Sequence, residues 1–247
     1  MNSIIKPKIL LSVKDIHEIS KVINYADIID LKNPNDGPIG SWTIKNIKEV
    51  VREYNNIILS ATLGNLKDLS EVKKKLNVFD SLGLNFIKIG CFCKSIKDLN
   101  KFLKFFKNTK TSATIVLVFF AENYEIINNL NNYFETFKSY NIKHIMIDTK
   151  NKSSRGLFEN LTLNKLQKIL LKSHKFDISI GLAGKLQLCN LINLLFLNPK
   201  IIGFRGAICK TKDRNSDICF KKVKNLSQSI NFEISKAQET AGACIEA

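Results

Sequence analysis

Two rhythms of apolar and polar positions alternate along the chain. Short continuous apolar runs occur at "KILLSV" (8–13), "DIIDLK" (27–32), "NIILSAT" (56–62), "NFIKIG" (85–90), "ATIVLVFF" (113–120), "KHIMID" (143–148), "DISIGLA" (177–183) and "KIIGFRG" (200–206). Rich in Ile, Val and Leu, they predict strands covered on both faces. Between them, apolar residues recur at helical spacing. Helices are predicted near 15–24, 41–54, 65–81, 96–107, 122–138, 162–172, 185–196 and 215–228. In 41–54 the apolar stripe is Ile44, Ile47, Val50 and Val51, with Ser41 or Thr43 suited to cap its start. In 96–107 it is Leu99, Leu103 and Phe106.

Eight strand–helix units in a chain of 247 residues predict an α/β fold, a single-domain (β/α)8 or TIM barrel. A doubly wound open sheet is the alternative. The count of units and the lack of a G-x-G-x-x-G after the first strand weigh against it. No Pro-, Gly- or Ser-rich linker divides the chain, so residues 1–234 are expected to form one catalytic domain. Residues 235–247 ("SKAQETAGACIEA") differ in composition and are expected to be a loose tail.

Against this apolar background, charges inside strands stand out. Asp30 and Lys32 interrupt the second run, and Lys88 the fourth. Burying a charge costs several kcal/mol unless it is well matched. Asp30 and Lys32 are two residues apart and so face the same side, as do Phe86, Lys88 and Gly90. If that side is the barrel interior, an acid and two amines converge where barrel enzymes do their chemistry, at the C-terminal ends of the strands. Cationic neighbours and desolvation lower a lysine's pKa. The neutral amine can then attack a carbonyl to form a Schiff base, while a carboxylate carries protons. Asp30 and Lys32 are therefore read as the base and amine of carbonyl chemistry, against the alternative of a structural ion pair at the rim. Asp148 closes the sixth strand, and Lys152 follows in its loop.

The glycines after strands seven and eight mark a second feature. "GLAG" (181–184) and "GFRG" (203–206) lie where such barrels bind phosphate. Gly181, Gly184, Gly203 and Gly206 are expected to let the backbone approach an oxyanion, and Arg205 to add a bidentate contact. Ordinary tight turns are the alternative.

Composition changes this picture little. The formal charge of +16 raises the question of an anionic partner. Yet the basic residues are nearly all lysines, spread along the chain rather than clustered with aromatics, which argues for compositional bias and solvated helix faces over nucleic-acid binding. No apolar run reaches the roughly 18 residues of a membrane span, and no signal peptide is evident. A soluble cytoplasmic protein without membrane or nucleic-acid partners is expected. Of the six cysteines, Cys91 and Cys93 form a C-x-C without the spacing of a zinc site. Reduced thiols and no metal are expected.

Together, "DIIDLKNPNDGPIG", "SATLG", "FIKIG", "MIDTKNKSSRGLF", "GLAG" and "GFRGAICKTKDR" resemble, in order, the (5-formylfuran-3-yl)methyl phosphate synthases of methanofuran biosynthesis. The likeness runs over about residues 8 to 220, and its first segment is the most specific. It implies a TIM-barrel lyase that condenses two glyceraldehyde 3-phosphate molecules, releasing phosphate and water, with no cofactor. It implies that Lys32 is the Schiff-base lysine, Asp30 its acid partner, and Lys88 and Lys152 further active-site lysines. The chain departs from the family pattern at Lys185, at the "SSRG" after Lys152, and at Pro38. A class I aldolase on another sugar phosphate would use the same lysine and phosphate loops. A basic nucleic-acid-binding barrel would give no reason for charges inside apolar strands. Homo-oligomerisation is left open by the sequence.

Overall fold

All eight apolar runs form parallel strands in the computed structural model, which describes residues 6–150, 155–211 and 213–243. They are β1 (Lys8–Val13), β2 (Ile28–Leu31), β3 (Leu59–Thr62), β4 (Phe86–Gly90), β5 (Thr114–Phe120), β6 (His144–Asp148), β7 (Ser179–Leu182) and β8 (Ile201–Phe204). They pair in chain order, and β1 closes against β8. The expected barrel is therefore the fold.

The helices on the outside are α1 (Ile19–Val22), α2 (Ile44–Glu53), α3 (Leu69–Asp80), α4 (Ile96–Phe106), α5 (Tyr124–Asn129), α6 (Phe134–Ser139), α7 (Leu157–Asn160), α8 (Leu163–Lys175), α9 (Leu191–Leu197) and α10 (Phe220–Ala243). Their starts follow capping chemistry. Thr43, Asp68 and Ser95 accept backbone N–H bonds at the first turns of α2, α3 and α4.

Three stretches differ from expectation. Residues 122–138 form two helices, because the asparagine-rich "NNLNNY" tightens into a 3-10 turn over Leu130–Tyr133. Asparagine competes for backbone partners there, and the Asn129 side chain donates to the Glu125 carbonyl. After β7 the chain does not enter a helix at 185. Lys185 takes a left-handed conformation (φ 52°), and α9 begins only at Leu191. Residues 235–243, set apart on composition, continue α10.

Alternation along the strands sorts the barrel into an inside and an outside. Outward residues such as Leu11, Ile29, Leu31, Ile87, Leu117, Phe119, Ile145 and Ile147 pack under the helices as the larger core. Inward residues form a second cluster, including Leu10, Ile28, Val116, Val118, Met146 and Ile201. One step further along the same inward faces, Ser12, Asp30, Ser60, Lys88 and Asp148 replace the apolar side chains and are buried. The barrel is thus plugged by hydrocarbon at one end and lined by polar groups at the other. Among the described residues, no helix is long and apolar enough to cross a membrane.

Candidate active site

Strand register builds the polar layer. Ser12 of β1 and Ser60 of β3 each lie beside Asp30 in the ladder. Both hydroxyls donate to its carboxylate, Ser12 Oγ to Oδ2 at 2.8 Å and Ser60 Oγ to Oδ1 at 3.0 Å. Lys88 Nζ completes the set at 2.7 Å from Oδ2, and both partners of this ion pair are almost wholly buried. Asp30 is fully buried, so these three donors are what make its burial tolerable.

Here the structure corrects the sequence reading of the pair. Asp30 and Lys32 do share a face, but the carboxylate is held by Lys88, one layer in, and not by Lys32. Lys32 follows the last residue of β2 and reaches across the barrel mouth to Asp148 at the end of β6, Nζ to Oδ2 at 3.2 Å. Asp148 is steadied at its other oxygen by the backbone N–H of Thr149, at 2.7 Å. Of the two lysine–carboxylate pairs, Lys32, Asp148 and Lys88 line one cavity, and Asp30 is buried against Lys88. Asp148 was noted in the sequence only as a strand terminus. The signal that marks it is the same as for Asp30, an acid at the inward end of an apolar strand.

The two amines differ in setting. Lys88 lies deep, and burial pushes its ammonium below the ordinary lysine range, helped by the nearby charge of Lys32 and opposed by Asp30 and Asp148. Lys32 is the more open of the pair, at 12 % side-chain exposure against 3 % for Lys88. Lys152 lies outside the described residues.

Both amines line a cavity of about 490 Å³ at the C-terminal face of the barrel. Ser12, Asp148, Thr149, Gly184, Gly203, Arg205, Gly206 and Arg214 also border it. Gly184 has φ +108°, and a Cβ there would lie 2.7 Å from Thr149 Cγ2, so no other residue fits without strain. The backbone N–H groups of Gly184 and Gly206 have no protein acceptor among the described residues, as an oxyanion cradle needs. Gly181 has a different task. Its missing Cβ leaves room for the Met146 methyl inside the barrel, which a side chain would meet at 2.9 Å.

Arg205 does not fit the role expected of it. All five of its N–H donors are taken by protein. Nε donates to the Arg214 carbonyl, Nη1 to the Ser12 carbonyl and Glu18 Oε2, and Nη2 to Glu18 Oε1 and the Ser216 carbonyl. Glu18 is buried and also accepts from the backbone N–H groups of Lys14 and Ile218. Arg205 is thus a brace that fastens the loop after β8 to β1 and the turn before α1. A phosphate would have to displace a buried carboxylate to reach it.

Comparison with known proteins bears on what this cavity serves. The family model described as 4-HFC-P synthase matches residues 9–227. The chain belongs to this family. Members of the 4-HFC-P synthase family named (5-formylfuran-3-yl)methyl phosphate synthase include one from Methanococcus maripaludis, 27% identical, with 84% of this chain and 92% of that protein covered. Another, from Archaeoglobus fulgidus, is 25% identical, with coverages of 91% and 99%. Membership of the 4-HFC-P synthase family makes the chain an enzyme, a biosynthetic synthase. The fold is shared more widely. A solved structure of 3-hexulose-6-phosphate synthase superposes with a TM-score of 0.59 at 16% identity, over 90% of this chain and 99% of that one. A structure titled native KDPGal gives 0.58 at 11% identity, over 97% and 100%.

Proposed function

We propose that the enzyme condenses two molecules of glyceraldehyde 3-phosphate through a Schiff base on Lys32, giving (5-formylfuran-3-yl)methyl phosphate, inorganic phosphate and two waters. One observation carries this reading. Two lysines, each with its own carboxylate, converge on one cavity whose opposite wall is built from glycine turns. Metal-free carbonyl chemistry on phosphorylated substrates calls for those parts, and the relatives are named for the product.

The roles follow from the two environments. One triose phosphate is first isomerised to its ketone, a proton moving from C2 to C1. Lys88 and Asp30, buried and hydrogen-bonded, are suited to carry that proton, because burial favours the neutral amine and so eases proton exchange with the carboxylate beside it. Lys32, at the open end, attacks the ketone carbonyl, and loss of water leaves an iminium. Asp148 hydrogen-bonds the amine before attack and balances the iminium charge after it. The second triose loses its C2 proton and then its C3 phosphate, leaving a three-carbon enol whose C3 forms the new C–C bond at the iminium carbon, the central carbon of the first triose. Ring closure of the first triose's C1 hydroxyl onto the ketone carbon of the second, loss of the second water and elimination of the Lys32 amine complete the furan. Gly184 and Gly206 offer free backbone N–H groups for a phosphate oxygen.

Incubating the purified enzyme with glyceraldehyde 3-phosphate alone tests the reading. Mass spectrometry and ultraviolet absorbance should show a phosphorylated furan aldehyde and stoichiometric inorganic phosphate. A six-carbon sugar phosphate in its place would reduce the chemistry to a simple aldol addition, and unchanged substrate would refute the proposal.

A further inference from the structure

The loop braced by Arg205 carries a second arginine in a very different state. Arg214 lies on the cavity wall, directed there because its own carbonyl and that of Ser216 are pinned by Arg205. Its Nη2 donates to the Pro34 carbonyl at 3.0 Å and the Gly37 carbonyl at 2.7 Å, in the loop that follows Lys32. The other three donors are uncommitted. Nε is buried without a partner, and Nη1 has no acceptor among the described residues. The nearest acids act on Arg214 only through space. It senses the charges of Asp148 and Asp213, with a hydrogen bond to neither. Burial lowers its pKa, but a guanidinium remains protonated at neutral pH.

We infer that Arg214 is the side chain that anchors a phosphate of the substrate in this cavity, the role the sequence pattern suggested for Arg205. The inference rests on the triose-phosphate reading for the identity of the ligand, but not for its charge. A buried N–H without an acceptor is unfavourable by itself, and an anionic oxygen entering the cavity relieves it. Gly184 and Gly206, with free backbone N–H groups, border the same cavity, so one phosphate can be met by a guanidinium and by main chain. Arg214 also spans the mouth from the β8 loop to the β2 loop. An anion bound there sits between the element carrying Lys32 and the element carrying the glycine turn, which places the attached carbon chain against the amine.

Calorimetric titration of inorganic phosphate into the full-length enzyme tests this, beside inhibition of turnover by phosphate. Wild type should bind phosphate in competition with substrate. Arg214→Ala should weaken phosphate binding and raise KM by roughly 10–100-fold, the value of a charged hydrogen bond or two, with kcat falling less than KM rises. Arg214→Lys should fall between, since it keeps the charge but not the planar array of donors. Because Arg214 also ties two loops, each variant is checked by thermal unfolding, and the lysine variant keeps the test open if the alanine variant does not fold. No phosphate binding by wild type would overturn the assignment. So would a folded Arg214→Ala or Arg214→Lys enzyme that binds phosphate as wild type does, and a lowered melting temperature alongside would leave Arg214 as a loop tie alone. If wild type binds phosphate yet does not turn over glyceraldehyde 3-phosphate, the calorimetric comparison still decides the role of Arg214 while the substrate proposal fails separately.

Discussion

Lys88 is the more deeply buried of the two lysines on the cavity wall. Its ammonium is desolvated, faces a second cation, and is held by one carboxylate. The folded-state pKa therefore lies below the unfolded value of 10.5. Between the two values the unfolded chain binds more protons, so this group makes stability rise with pH across that window, and makes it lower on the acid side. Activity should move the same way, because proton transfer needs a neutral amine for part of the cycle. The pH profile of kcat should show an acid-side limb with an apparent pKa below that of a free lysine, and Lys88→Met should abolish that limb together with most turnover. A kcat flat in pH across neutral and mildly alkaline conditions would contradict this role. Sequence reading found Lys88, Asp30 and Lys32 because charge inside an apolar strand is visible in one dimension. It could not say which acid meets which amine. That depends on the length of each side chain and on the distance across the barrel, and Asp148 lies on a strand far along the chain from Lys32.

At the scale of elements, the loop after β8 shows how the chain holds an active surface in place without regular structure. The buried pair of Glu18 and Arg205, reinforced by the Ile218 N–H and three backbone carbonyls, ties residues 205–218 to the start of the barrel. Replacing Glu18 by Gln would leave a buried guanidinium uncompensated, at a cost of about 3 kcal/mol or more. Urea unfolding should show that loss, and phosphate affinity should weaken with it, because Arg214 takes its position from Arg205. A variant of unchanged stability and unchanged affinity would show that the brace is dispensable. Glu18 has no sequence signal of its own. It sits in a short turn, "DIHEIS", and the partners that fix its role, Arg205 and Ile218, lie 187 and 200 residues away. The same limit explains the helix misreadings. Helical spacing persists through "NNLNNY" and through 185–190, where local side-chain bonds and a left-handed residue break the helix.

The whole molecule was the most legible level. Eight apolar runs in fixed alternation with amphipathic ones admit few arrangements, and the right-handed βα rule turns that count into a closed barrel. The outward lysines, among them Lys45, Lys48, Lys73, Lys74 and Lys97, are exposed on helix faces, which is where a lysine-rich composition is accommodated most cheaply. Lys32 and Lys88 differ, turned inward by strand alternation. Lys32 is proposed to form a covalent imine with a triose phosphate. Borohydride added during turnover, followed by peptide mapping, tests it directly. A reduced three-carbon or six-carbon phosphate adduct is expected on Lys32, lost in a folded Lys32→Arg enzyme because arginine keeps the charge but not a deprotonatable amine. An adduct confined to Lys88, or the absence of any adduct from an enzyme that still makes the furan, would contradict it.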